Sequence, residues 1–152
     1  MKDISSVSFK RIEDSKEDAR YSWHHLYFVS KKRYKVFGKE KTIQVCMEAF
    51  KEVERDFGYK IRELSFSKEE DHIHMIVDIP SKFSVQQTIQ IFKCHSSSKI
   101  FKEIPNFRLR YPKGSFWSRW KYNGTVGPMN EKVVVEYIRR QDKFQSRIAD
   151  FQ

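Results

Sequence analysis

Apolar positions along this 152-residue chain follow two rhythms, and each rhythm predicts a different element. Residues 1–20 are rich in Ser, Lys, Asp and Glu without periodicity and read as a leader ahead of one domain, 21–152. From Tyr21 the pattern sharpens, and WHHLYFVSKKR (23–33), with its aromatic and β-branched residues, predicts a first strand. TIQVCMEAFKEVERDFG (42–58) places Ile43, Met47, Phe50, Val53 and Phe57 at helical spacing, with Gly58 as the stop. YKIRELSFSK (59–68) predicts a second strand, and EEDHIHMIVDIP (69–80) a third, close enough to form a hairpin with it. Ser84 caps a second predicted helix that runs to about Lys102, with Val85, Ile89, Phe92 and Ile100 on one side. A loop bearing Pro and Arg leads to SFWSRWKYN (115–123), a fourth strand, and GTVGP (124–128) then breaks the chain. NEKVVVEYIRRQDKFQSRI (130–148) predicts a final helix capped by Asn130, with basic residues toward its end.

This order, βαββαβ and then a helix, predicts an α+β fold of ferredoxin-like or RRM-like type. One antiparallel sheet carries its helices on one face. Length agrees, because 152 residues suit a single compact core.

Charge narrows the class of partner. The net charge is +10 and the pI about 9.6, with thirteen Phe, seven Tyr and three Trp. The basic residues are spread along the chain beside aromatics, as in KKRYK (31–35), FRLRYPK (107–113) and SRWK (118–121). Cations interleaved with stacking rings suit single-stranded nucleic acid, which exposes both phosphates and base faces; a solvated basic surface is the plainer alternative. Lys31, Lys32, Arg33, Lys35, Lys93, Lys99, Arg108, Arg110, Arg119 and Lys121 are the candidate phosphate contacts, some of them serving solubility only. Cys46 and Cys94 stand far apart and outside any paired framework, which points to a reducing compartment. With no signal-peptide pattern and no run of about eighteen apolar residues, a cytoplasmic protein without a membrane role is expected.

The candidate chemistry lies in two places. Strand alternation puts His72 and His74 on one side, away from Ile73, Met75 and Val77, and so on the open face of the sheet. Taken alone, such a pair reads as a metal site or as two surface histidines that stack or hydrogen-bond. On the last predicted helix, Tyr137 and Gln141 lie four residues apart and share a face. A tyrosine phenol titrates near about pH 10 and is a weak nucleophile, but a divalent cation polarising a phosphodiester would let it attack phosphorus. Gln141 offers an amide oxygen as a third ligand for a hard cation; a core tyrosine and a surface glutamine are the alternative. Asp71 and Asp78 do not suggest a carboxylate site, because alternation places Asp71 on the face opposite the histidines. His24 and His25 occupy adjacent, oppositely facing positions and cannot copy the His-x-His geometry; with His95 they read as structural or as incidental DNA contacts.

Together, His72-Ile73-His74 with Asp71 before it and MIV after it, KKRYKVF, FWSRWKYNGTVG and VEYIRRQ match a known family in order and spacing. The chain resembles the HUH-type, single-tyrosine transposases of small insertion sequences, the two-hundred/six-hundred-and-five family, over about residues 21–145. The resemblance implies that Tyr137 is the nucleophile, cutting one DNA strand to leave a 5′-phosphotyrosine and a free 3′-hydroxyl. It implies that His72, His74 and Gln141 hold Mg²⁺ or Mn²⁺, and that single-stranded DNA is bound as hairpins at the element ends. It also implies a homodimer in which the tyrosine helix docks on the partner's histidine pair, with Gly124 and Gly127 in GTVG as a hinge. An ordinary strand-to-helix turn is the alternative there. Two other readings remain open: a non-catalytic RRM-like module binding single-stranded nucleic acid, and an HUH replication initiator, relaxase or domesticated nuclease.

Overall fold

A computed structural model describes the backbone of residues 21–125 and the side chains of residues 23–119. The leader (1–20), Gly127 and the predicted terminal helix with Tyr137 and Gln141 lie outside the described residues, as does the side chain of Lys121. The elements are β1 (Tyr21–Ser30), α1 (Glu40–Phe57), β2 (Lys60–Phe66), β3 (His72–Pro80), α2 (Val85–Glu103), the one-turn α3 (Phe107–Arg110) and β4 (Trp117–Thr125). The strands form one sheet in the order β2-β3-β1-β4, and every neighbouring pair is antiparallel. This is the predicted α+β arrangement.

Alternation along the strands builds the core. Leu26 and Phe28 of β1, Leu64 and Phe66 of β2, and Ile73, Met75 and Val77 of β3 are buried on one face. There they join Ile43, Phe50 and Val53 of α1 and Ile89, Phe92 and Ile100 of α2 in a single cluster. Burying each such side chain stabilises the fold by about 1.5–3 kcal/mol. Gly58 ends α1 in the left-handed region, φ 82°, and its N–H bonds to Glu54 O. Only glycine takes that backbone without strain. Ser84 and Gln87 form a reciprocal capping box at the start of α2, as expected for Ser84.

Three boundaries differ from the sequence reading, each for a reason in the backbone hydrogen bonding. β1 stops at Ser30 instead of Arg33: Ser30 N bonds to Asp71 O and Lys31 N to Phe116 O, both at 2.9 Å, and the ladder is used up. Lys31–Arg33 then wind into a 3-10 turn, with Lys32 and Arg33 at φ 60° and 54°. The loop after α2 contains α3, tied by Tyr111 N to Phe107 O at 2.8 Å. β4 continues through Thr125, so Gly124 is a strand residue in register with His25, and the expected break at 124–128 does not start there.

Candidate active site

The register of β1 on β3 sets the site. Tyr27 pairs with His74 and Val29 with His72, while Phe28 pairs with Ile73 in the core. His72 and His74 therefore project from the face of the sheet opposite α1 and α2, together with Tyr27, as alternation predicts. They are nevertheless buried, at 8% and 6% exposure. Their rings lie 5.1 Å apart at 80°, and the Tyr27 ring stands 4.7 Å from His72 and 4.9 Å from His74.

Each histidine is held through Nδ1. Asp71 Oδ1 lies 2.7 Å from His72 Nδ1, and Asp71 Oδ2 accepts from Arg33 Nε at 3.0 Å. Burial raises the Asp71 carboxyl, but the hydrogen bonds to His72 and Arg33 outweigh it and hold the group below the usual carboxylate range. An ionised carboxylate only accepts, so His72 donates its Nδ1–H to Asp71. On the second histidine, Nδ1 lies 3.1 Å from His25 Nε2, and the two rings stack at 5.3 Å and 25°. Burial, then the neighbouring His25 and His72, push the His74 imidazolium down to about 3, so this ring is neutral at physiological pH. Burial likewise lowers His25 and raises the Tyr27 phenol, the latter against the opposing Arg33 charge.

One sequence expectation is corrected here, and one open alternative is decided. Asp71 is not turned away from the histidines, because it precedes β3 in a bend where the two-residue alternation does not operate. Of the two readings of His25, structural or incidental, the structural one holds: it lies on the same face as His74, diagonally across the β1–β3 ladder. The adjacent His24 faces the other way and is buried, and His95 bonds Glu52 Oε1 at 2.8 Å on the helical layer. The signal for His25 was available in the pairing of WHHLYFV with DHIHMIV, but the register was not.

The basic residues divide. Arg33 is tied to Asp71 and mostly exposed, which puts a guanidinium beside the histidines. Lys32, Lys35 and Arg119 are exposed, and Arg110 sits over the Tyr34 ring at 4.7 Å. Others are engaged by the fold: Lys31 Nζ donates to Lys113 O and Lys93 Nζ to Ser118 O. Lys99 pairs with Glu52 and Glu103, and Arg108 covers Phe101 while donating to Tyr111 O and Gly114 O. Asp78 accepts from Arg62 Nε at 2.7 Å under a guanidinium stacked 3.5 Å over Trp23, a buried ion pair at the far end of the sheet. Among the described residues no group of three or more His, Cys, Asp or Glu side chains is arranged to hold a metal ion.

Comparison with known proteins identifies the lineage. Residues 19–141 match the family described as "Transposase IS200 like". This chain belongs to the IS200-like transposase family. It is 31% identical over 131 residues to the transposase for insertion sequence element IS200 of Salmonella typhimurium, covering 84% of each chain, and stands equally to that of Salmonella typhi. The matched span includes His72, His74, Tyr137 and Gln141. Two solved structures share the fold of this IS200-like transposase. One is a putative transposase from Deinococcus radiodurans, with TM-score 0.62 and 16% identity, covering 88% of this chain and 97% of that one. The other is a REP-associated tyrosine transposase bound to a REP hairpin, with TM-score 0.54 and 14% identity, covering 87% of this chain and 70% of that one. No helix among the described residues of the transposase is long and apolar enough to cross a membrane.

Proposed function

We propose that this transposase cuts and rejoins single-stranded DNA through a covalent tyrosine intermediate, at a site built on His72 and His74. The observation behind this reading is the shared Nδ1 support of the two histidines. His72 donates its Nδ1–H to Asp71 Oδ1, which leaves Nε2 as the ring nitrogen available to a ligand. His74 gains the same arrangement when its Nδ1–H donates to His25 Nε2. Two imidazoles oriented in this way fit Mg²⁺ or Mn²⁺, with the Gln141 amide oxygen as the third protein ligand. Such a cation, when bound, polarises the scissile phosphate and steadies the charge that develops on it.

Tyr137 is the nucleophile in this reading. Its phenol loses a proton to solvent, its oxygen bonds to phosphorus, the bond from phosphorus to the 3′-oxygen breaks, and the released 3′-oxygen takes up a proton from solvent. The products are a 5′-phosphotyrosine and a free 3′-hydroxyl, and the reverse attack by a 3′-hydroxyl rejoins the strand without an external energy source. Arg33, fixed by Asp71, is placed to meet a phosphate next to the histidines. Hairpin DNA is the substrate form we assign, in line with the hairpin-bound tyrosine transposase that shares this fold. A homodimer with Tyr137 acting on the partner's histidine pair completes the reading.

The test is a single-stranded hairpin oligonucleotide incubated with Mg²⁺ or Mn²⁺. A protein–DNA adduct stable in denaturant is expected, absent for Tyr137→Phe although that variant still binds the hairpin. An adduct formed by the Phe variant removes Tyr137 from the mechanism. Metal-independent binding without any adduct leaves an RRM-like binding module.

A further inference from the structure

KKRYK and FRLRYPK stand more than seventy residues apart in sequence, yet the fold brings them together around one cavity. Tyr34 of the first stretch packs on Tyr111 of the second at 5.7 Å, and Arg110 lies over the Tyr34 ring. Beside them is a cavity of about 360 Å³ whose apolar floor is Val36, Ile104 and Phe107. Lys35, Lys39, Lys41 and Arg110 line it, with no carboxylate among its lining residues. Among the described residues none of the three lysines has an ion-pair partner, unlike Lys99 in the helical layer. Tyr34 and Leu109 are also the exposed large hydrophobic residues of the described chain, and both belong to these two stretches.

We infer that this cavity is a second DNA site, which takes one unpaired nucleotide of the single strand whose scissile phosphate lies at the histidines. The inference rests on the proposed strand-cutting reading and adds a subsite to it. An apolar floor suits the face of an unstacked base, and the surrounding cations suit the phosphates on either side of it. A paired stem buries its base faces and would contact the cationic rim alone. The segment 31–38 joins the two places directly: Arg33 bonds Asp71 at the histidines, and Lys35 and Val36 line the cavity two and three residues later. A strand lying along this segment engages both.

Fluorescence anisotropy tests this with a hairpin oligonucleotide carrying an unpaired flank, titrated at several salt concentrations. The proteins are wild type, Lys39→Ala/Lys41→Ala, Tyr34→Ala, and Lys82→Ala as an exposed control away from the cavity. The double variant should bind the flanked hairpin about tenfold more weakly, with a salt slope lower by about 1.4, the value for two single-strand phosphate contacts. Tyr34→Ala should weaken binding of the flanked hairpin, and removing the base from one flank nucleotide should reproduce that loss in wild type. Lys82→Ala should bind as wild type, and thermal melting should show all variants folded. Equal losses on a blunt hairpin and on the flanked one would overturn the unpaired-nucleotide assignment, as would preference for the matching ribo-oligonucleotide. Wild-type affinity in the folded double variant would remove the site altogether. If wild type binds the flanked hairpin with these dependences but forms no adduct, the subsite stands and the strand-cutting chemistry falls.

Discussion

Asp71 Oδ1 stands 2.7 Å from Nδ1 of His72, and this contact decides which nitrogen of the ring carries the lone pair. Replacing Asp71 by Ala frees the imidazole to rotate and to exchange tautomers. We expect Mn²⁺ affinity to fall about 10- to 100-fold, the usual cost of losing the group that orients a ligating histidine. Paramagnetic titration of free Mn²⁺ against the DNA-free protein measures it, and an unchanged affinity would show that His72 does not depend on Asp71.

His25 should matter in the same way, one strand over. His25→Ala removes the partner of His74 Nδ1 and is expected to weaken Mn²⁺ binding about tenfold or more. His25→Gln retains a side-chain acceptor and should recover part of the loss. Equal weakening by both variants would assign the effect to ring stacking instead.

Tyr27 touches both histidines and is the rival nucleophile among the described residues. Burial raises its phenol pKa, which makes it a poor nucleophile at neutral pH. Tyr27→Phe keeps the ring and should leave adduct formation with a hairpin oligonucleotide intact. Loss of the adduct would move the chemistry from Tyr137 to Tyr27.

The helical layer predicts an acid dependence of stability. Glu52 of α1 accepts from His95 and Lys99 of α2, and these bonds hold its carboxyl below the ordinary 4.5 despite the opposing effect of burial. A folded-state pKa below the unfolded one adds stability above the unfolded value, and that stability is lost as pH falls through the folded value. Glu52→Gln should therefore cost roughly 1 kcal/mol or less at pH 7, since the pair is partly solvated. Melting curves of variant and wild type should converge below the pH at which Glu52 is protonated.

Trp117 joins β4 to the core. It is 2% exposed, packs against Phe28 and Phe37, and its indole N–H donates to Ser96 Oγ at 2.8 Å. Trp117→Ala should lower unfolding free energy by about 3–5 kcal/mol, read from urea titration.

The order of elements and the common face of His72 and His74 were legible in the sequence, because both follow from local periodicity. Period two along DHIHMIV separates the histidines from Ile73 and Met75 whatever the strand pairs with, and the helical spacing of Ile43, Phe50 and Val53 specifies α1. The surroundings of the histidines were not legible. His25 reaches His74 only through the register of β1 on β3, which no residue of either strand states by itself. Asp71 escaped the alternation rule because strand pairing begins one residue after it, a boundary set by long-range hydrogen bonds. KKRYK and FRLRYPK showed their charge in the sequence, but only packing brought them to one cavity and tied Lys93 and Lys99 to Ser118 and to Glu52 and Glu103. Periodicity is a property of neighbours along the chain, whereas a site is made by neighbours in space.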